Sequence, residues 1–241
     1  MQLDDKSVHV WPVRLQCRDV DLPVLTGLLS VDERQRADRF AFPHLRRAYT
    51  CGRGALRLLL GLYTGASPAS LSFSYGRNGK PALDAAGGVG FNVAHSGDQA
   101  LFAFTLGCEI GVDIEAIPSL PDLLQIASHF FCKAEEAELR SLLPGEQAAS
   151  FAACWSRKEA YIKAKGGGLS IALDSFQVSL LPGQQACFLR LAPDDVGSPW
   201  ALHELSVASG FAAALAYPAE ARNVQIFPPV DVQELLRFKE R

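Results

Sequence analysis

Three consecutive glycines, Gly166–Gly168, close a stretch whose apolar spacing fits a helix: FAACWSRKEAYIKAKGGGL, from Phe151 to Leu169. Phe151, Trp155 and Ile162 fall at i, i+4 and i+11, so one apolar stripe can face a core. The glycines end that helix, because glycine adopts the left-handed backbone a C-cap needs and lets other backbone approach closely. Lys158, Glu159, Lys163 and Lys165 crowd into its last two turns. Glu159 and Lys163 stand in the favourable i,i+4 orientation, and lysines suit a helix C-terminus, so a solvated face would explain them too. The rest of the chain decides between the two readings.

With 241 residues, 49% hydrophobic and 20% charged, the chain suits one large domain or two modest ones, neither disordered nor fibrous. A net charge of −3 gives no global attraction to nucleic acid, so any polyanion site must be a local patch. The six cysteines are scattered without C-x-x-C or metal-ligand spacing, which favours reduced thiols in a cytoplasmic protein. No apolar run follows Met1–Lys6 or reaches spanning length, so neither secretion nor a membrane is expected.

Ser7–Leu15 alternates around Pro12 and suits an edge strand. A helix running to about Phe42 is followed by a second that Pro43 opens, with Leu45, Tyr49, Gly52, Leu56, Leu59 and Tyr63 as its buried stripe. From Arg34 to Arg57 there are seven arginines, no lysine and one acid, Asp38. Arginine without lysine favours planar, bidentate contact with phosphate.

Asn78-Gly79 marks a turn that leaves Lys80 at a loop tip, and Phe91–Ser96, Leu101–Thr105 and Glu109–Glu115 read as strands. In the last of these, alternation sends Ile110, Val112 and Ile114 to one face and Gly111, Asp113 and Glu115 to the other. Acids two residues apart on one face have α-carbons ~6.6 Å apart, so both can reach one hard cation, with Gly111 leaving room beside them. Magnesium, which takes one or two carboxylates plus substrate phosphates, fits such a half-site. Beyond Ile117-Pro118 come helices at about 120–131 and Lys133–Leu143, then the glycine-capped helix. Strands follow at Leu173–Leu181, Cys187–Leu191, Ala201–Val207 and Phe211–Tyr217, and a last helix at Val232–Phe238. The order is α+β, without the regular βαβ alternation of a doubly wound sheet. The pattern shift near Ile117 divides the chain into halves 1–116 and 117–241, with no residue-level repeat between them.

Four segments together, GRNGKPAL (76–83), FNVAHSGDQALFAF (91–104), IGVDIE (110–115) and FxxxWxxKEAYxKxxGGGL (151–169), resemble the 4′-phosphopantetheinyl transferases of the large, surfactin-activating (Sfp-like) type. The resemblance covers about residues 30–180. It implies a pseudo-twofold pair of similar α+β halves with the active site in the cleft between them, in a monomer. It also implies transfer of phosphopantetheine from coenzyme A to a serine of an apo acyl or peptidyl carrier protein, releasing adenosine 3′,5′-bisphosphate. On the same ground Asp113, Glu115 and Glu159 would surround Mg2+. Lys80 with Pro81, and His95 with Ser96, would contact coenzyme A. Lys158 and Lys163 would attend the pyrophosphate, and Glu159, directly or through water, would deprotonate the carrier serine. Arg46, Arg47 or Arg53 would hold a phosphate. The chain departs from the family at Ala94, where many relatives have serine, and at Ala48, where relatives often carry arginine.

Two other readings use part of the same residues. A different Mg2+-dependent enzyme on a nucleotide or phosphoester would need the acids and lysines but leaves FNVAHS and GKP unexplained. A nucleic-acid-binding module would use the arginines, against an acidic chain with no reading motif.

Overall fold

Alternation along each strand sorts the side chains of this protein into three apolar layers. The structure, a computed structural model, describes residues 1–84, 88–119, 121–218 and 222–238. Its helices are α1 (Leu22–Leu28), α2 (Val31–Asp38), α3 (Pro43–Thr64), α4 (Leu123–Phe130), α5 (Lys133–Ser141), α6 (Pro144–Lys165) and α7 (Val232–Phe238). The strands are β1 (Ser7–Arg14), β2 (Phe73–Tyr75), β3 (Pro81–Leu83), β4 (Val89–Ser96), β5 (Gln99–Leu106), β6 (Gly111–Ala116), β7 (Gln177–Val178), β8 (Phe188–Arg190), β9 (Trp200–Glu204), β10 (Phe211–Pro218), β11 (Asn223–Ile226) and β12 (Val230–Asp231).

One sheet runs β11-β1-β5-β4 with β12 also on β1, and a second runs β6-β10-β9. Trp11, Phe91, Phe102 and Phe104 turn from the first sheet onto Leu56, Leu59 and Leu60 of α3. Their strand neighbours Val8, Val10, Leu101 and Ala103 point the other way, against Val112, Ile114, Ala213 and Leu215 of the second sheet. The far face of that sheet, including Ala214 and Ala216, packs with Ala160 and Ala164 of α6. The layers are therefore α3, sheet, sheet, α6, an α+β arrangement of two related halves.

The division expected at 116/117 is not where the sheets part. Strand β6 pairs with β10, and its partners begin at Ala216↔Gly111, so the chain leaves the first sheet before Gly111. At the other end β11 and β12 return to lie parallel to β1. They also correct the edge-strand reading of Ser7–Leu15. Strand β1 has neighbours on both sides, and Pro12 lies between the registers of β11 (to Val10) and β12 (from Val13), where a missing N–H breaks no ladder. The strand expected at Leu173–Leu181 shrinks to Gln177–Val178, preceded by a 3-10 turn over Leu173–Ser175.

The halves repeat a device that the sequence conceals. Helices α3 and α6 each have 22 residues, open on proline and end at a left-handed glycine, Gly65 (φ 70°) and Gly166 (φ 69°). The fifteenth residue of each is basic and wholly buried: Arg57 and Lys158. Arg57 Nε donates to Glu33 Oε2 at 2.7 Å, and its Nη1 to the carbonyls of Pro68 and Leu71. Lys158 Nζ lies 2.8 Å from Glu135 Oε1 and donates to the carbonyls of Leu173 and Phe176. Each glutamate also accepts the N–H that precedes its own short helix, Ser30 for Glu33 and Cys132 for Glu135. Each cation lies over a phenylalanine ring, Arg57 on Phe73 at 5.1 Å and Lys158 on Phe176 at 4.2 Å. Arginine and serine in one copy against lysine and cysteine in the other erase the repeat at residue level.

Breaking such a clamp should be costly. Lys158→Met leaves Glu135 charged in the core, and we expect a loss of about 3–5 kcal/mol in urea unfolding. Adding Glu135→Gln, which removes the charge and keeps an acceptor for one of the Cys132 and Val178 N–H groups, should recover part of it. Unchanged stability in the single variant would show that the pair is not a structural clamp.

Candidate active site

Gly111 brings the two chemical segments together. A Cβ there would lie 2.0 Å from the Ala160 carbonyl oxygen and 2.3 Å from the Ala164 nitrogen, so only glycine lets α6 rest on β6. The space expected beside the acids is thus filled by helix backbone. The result still serves the site, because Glu159 and Lys163 are carried onto the acid face of β6.

There Lys163 Nζ donates to Asp113 Oδ1 at 2.5 Å. Asp113 Oδ2 is buried and has no partner. Burial raises the Asp113 carboxyl above its ordinary range, with Lys163 opposing the shift. Glu115 is pushed up to about 7 by burial first and then by the charges of Asp113 and Glu159. Glu159 is raised by burial and by Asp113. Three carboxyls raised by burial, two of them also by the Asp113 charge, around one ammonium and with a bare carboxylate oxygen among them, have the electrostatics of a cation site. Among the described residues no three side chains already converge in ligand geometry. The fit rests on Asp113 Oδ2 and on the oxygen chemistry of the donors, which suits a hard divalent cation.

Glu159 and Lys163 line a cleft of 470 Å³ with Asn78, Lys80, Pro81, Val93, Phe130 and the turn after α6. Lys80 reaches it from the GRNGKP loop, where Nζ is held by Glu109 Oε2 at 2.6 Å and by the carbonyls of Ala164 and Ile110. Asn78 Nδ2 donates to the Gly166 carbonyl at 2.9 Å, so this loop is docked on the end of α6. The sequence reading passed over Asn78 except as a turn residue. Phe130, 46% exposed and edge-on to Trp155 at 5.6 Å, was also missed; its signal is an apolar helix with one large ring left in solvent.

His95 is exposed at the end of β4, close enough for its charge to favour ionised Asp113. Ser96 has another task. Its Oγ accepts the Ala116 N–H at 3.0 Å, and Asn92 Oδ1 accepts the Val112 N–H at 2.9 Å. Two side chains four residues apart on β4 thus join two N–H groups four apart on β6, sewing sheet to sheet without a ladder.

Two expectations need correction. Lys158 does not face the cleft: its ammonium is enclosed by Glu135, Leu173 and Phe176, although Glu159 beside it lines the cleft. The arginines do not form one surface patch. Arg53 is bound to Glu33 and to the Tyr75 hydroxyl and covers Phe73 at 4.3 Å. Arg46 pairs with Asp38 at 2.5 Å in solvent, and Arg47 with Asp19 at 2.7 Å. None of the three lines the 470 Å³ cleft.

With this geometry in hand, comparison with known proteins is decisive. A 4′-phosphopantetheinyl transferase HetI of Nostoc sp. (strain PCC 7120) is 39% identical over 200 residues, covering 78% of this chain and 84% of that protein. The chain belongs to the 4′-phosphopantetheinyl transferase family. The model of the 4′-phosphopantetheinyl transferase superfamily matches residues 109–216, which include both the β6 acids and α6. Other transferases of the family are psf-1 of Bacillus pumilus, 32% identical over 84% of this chain and 85% of its own, and Sfp of Bacillus subtilis (strain 168), 30% identical over 87% and 91%. A holo-(acyl-carrier-protein) synthase from Bacillus anthracis in complex with CoA (3′,5′-ADP) overlies 46% of the chain and 97% of its own at TM-score 0.39 and 19% identity.

Proposed function

We propose that this 4′-phosphopantetheinyl transferase binds coenzyme A across the α6 cleft and passes its phosphopantetheine arm to a serine of an apo acyl or peptidyl carrier protein, with Mg2+ as cofactor. The observation that carries the site assignment is the buried, unpartnered Oδ2 of Asp113 beside Glu115 and Glu159. These three residues would hold the cation. When bound, it would neutralise charge on the pyrophosphate as its phosphoanhydride bond breaks and the serine phosphoester forms. Lys163 supplies a positive charge beside the same oxygens. Glu159, raised towards the protonated form, suits a base that takes the serine proton and keeps it while adenosine 3′,5′-bisphosphate leaves.

Among the described residues no helix is long and apolar enough to cross a membrane. The family resemblance supports a cytoplasmic monomer acting on soluble carriers. The enclosure of Arg57 and the pairing of Arg53 with Glu33 weaken the nucleic-acid reading, since both cations are withdrawn from any backbone groove. The test is incubation with coenzyme A, Mg2+ and a panel of apo-carriers, read by intact mass. A phosphopantetheine mass gain coupled to release of 3′,5′-ADP is expected. No gain on any carrier would remove the transferase reading.

His95 and Lys80 are assigned to the phosphates of coenzyme A. His95→Ala should raise KM for coenzyme A and leave kcat within a few-fold, the pattern of lost uniform binding. The control is 3′-dephospho-coenzyme A. If wild type and variant discriminate equally between the two substrates, His95 does not read the 3′-phosphate.

A further inference from the structure

Outside the cleft, the sulfurs of Cys17 and Cys51 lie 2.8 Å apart. Cys17 stands on the segment after β1 and is partly exposed, whereas Cys51 is buried in α3. Both are free thiols. A disulfide has its sulfurs about 2.05 Å apart, so joining them requires an approach of roughly 0.75 Å.

The surrounding structure already holds the two segments in place. Arg47, one turn before Cys51 on α3, donates to Asp19 at 2.7 Å and to the carbonyl of Cys17 itself. The same segment is fixed at its start by Leu15 N–H to the Asp98 carbonyl at 2.7 Å and by Gln16 Nε2 to Asp98 Oδ2 at 2.8 Å. Arg18 and Asp21 close its other end at 2.8 Å. Little chain freedom is left to lose on bonding. Among the described residues no other two cysteines are in hydrogen-bonding contact; Cys108 meets only the Thr105 hydroxyl, at 3.6 Å.

We propose that Cys17 and Cys51 are a thiol-oxidation site, closing to a reversible disulfide when a hydroperoxide reaches Cys17. The less buried cysteine reacts first: Cys17–SH and H2O2 give Cys17–SOH and water. The Cys51 thiol then attacks that sulfur, and the leaving hydroxide departs as water with the Cys51 proton. Two thiols are oxidised and one peroxide is reduced to two waters. The order follows from exposure, and burial with the neighbouring sulfur keeps Cys51 protonated until then. The bond would tie the β1–α1 segment to α3 on the side of the fold away from Asp113 and Glu159, so turnover should stay within a few-fold.

The full chain is treated with hydrogen peroxide, alkylated under denaturing conditions and digested. The expected product is a peptide pair joined through Cys17 and Cys51, lighter by two hydrogens and separated by dithiothreitol. Closing a loop of this span should also raise the melting temperature by roughly 5–10 °C. Cys17→Ser, at a partly exposed position, should abolish both the linked pair and the shift, as should Cys51→Ala. Recovery of both cysteines as alkylated thiols, Cys17 carrying only added oxygen, or a link between other cysteines would overturn the proposal.

Discussion

Replacing Asp113 with asparagine should lower turnover at least about 10²-fold while leaving the metal-free protein as stable as before, or more so. The two halves of that expectation have one cause. A carboxyl whose folded pKa is raised above its unfolded value favours the protonated folded state. Its ionisation therefore costs stability, and the cost grows as pH rises from the unfolded value through the folded one. Asp113 is raised, and Glu115 is raised from 4.5 to about 7, so ionising either carboxyl puts the fold under electrostatic tension. Asparagine removes the charge and relieves its neighbours. The same change takes away the oxygen that a divalent cation needs most. Mg2+ should raise the melting temperature of the wild type and leave that of the variant unmoved. Wild-type turnover at limiting Mg2+ would show that Asp113 is not part of the site.

Glu159→Gln and Lys163→Met should each lose at least about 10²-fold in kcat on a saturating carrier. Glu159→Gln should melt near wild type, whereas Lys163→Met leaves the buried Asp113 without its ammonium and should melt lower. The competing view makes the pair a surface salt bridge, worth at most about 1 kcal/mol of stability and nothing in rate. The structure speaks against that view, because Lys163 bonds to Asp113 on a neighbouring strand at 2.5 Å instead of pairing along its own helix. Glutamine keeps the shape of Glu159 and loses the base; methionine keeps the stem of Lys163 and loses the ammonium. If both variants stay within a few-fold of wild type, α6 is only a scaffold here.

Local pattern made much of this site legible. Alternation put Asp113 and Glu115 on one face of β6, and helical spacing put Glu159 one turn from Lys163. The errors came from partners remote in sequence. Lys158 sits in the same motif as Glu159, but Glu135, 23 positions earlier, draws it inward. The arginine run looked unopposed because it was counted from Arg34. One residue earlier stands Glu33, which binds both Arg53 and Arg57. Gly111 was read as space for a ligand because a sequence does not show which backbone will occupy the gap. Strands β11 and β12 are too short to carry a period, and they are placed by β1, more than two hundred residues away.

The paired clamps of Arg57–Glu33 and Lys158–Glu135 fix a stoichiometry. Counting from each buried cation, the next residue is Leu58 in α3 and Glu159 in α6, and the residue four further on is Leu62 in one and Lys163 in the other. Leu58 belongs to the apolar core and Leu62 packs against it, so the first copy has sealed with leucine the position where the second keeps an acid and an ammonium. A fold built from two like halves therefore carries its chemistry once. Calorimetric titration should saturate at a single equivalent of coenzyme A per chain, and a second equivalent of comparable affinity would mean that the leucine-bearing half has retained a pocket of its own.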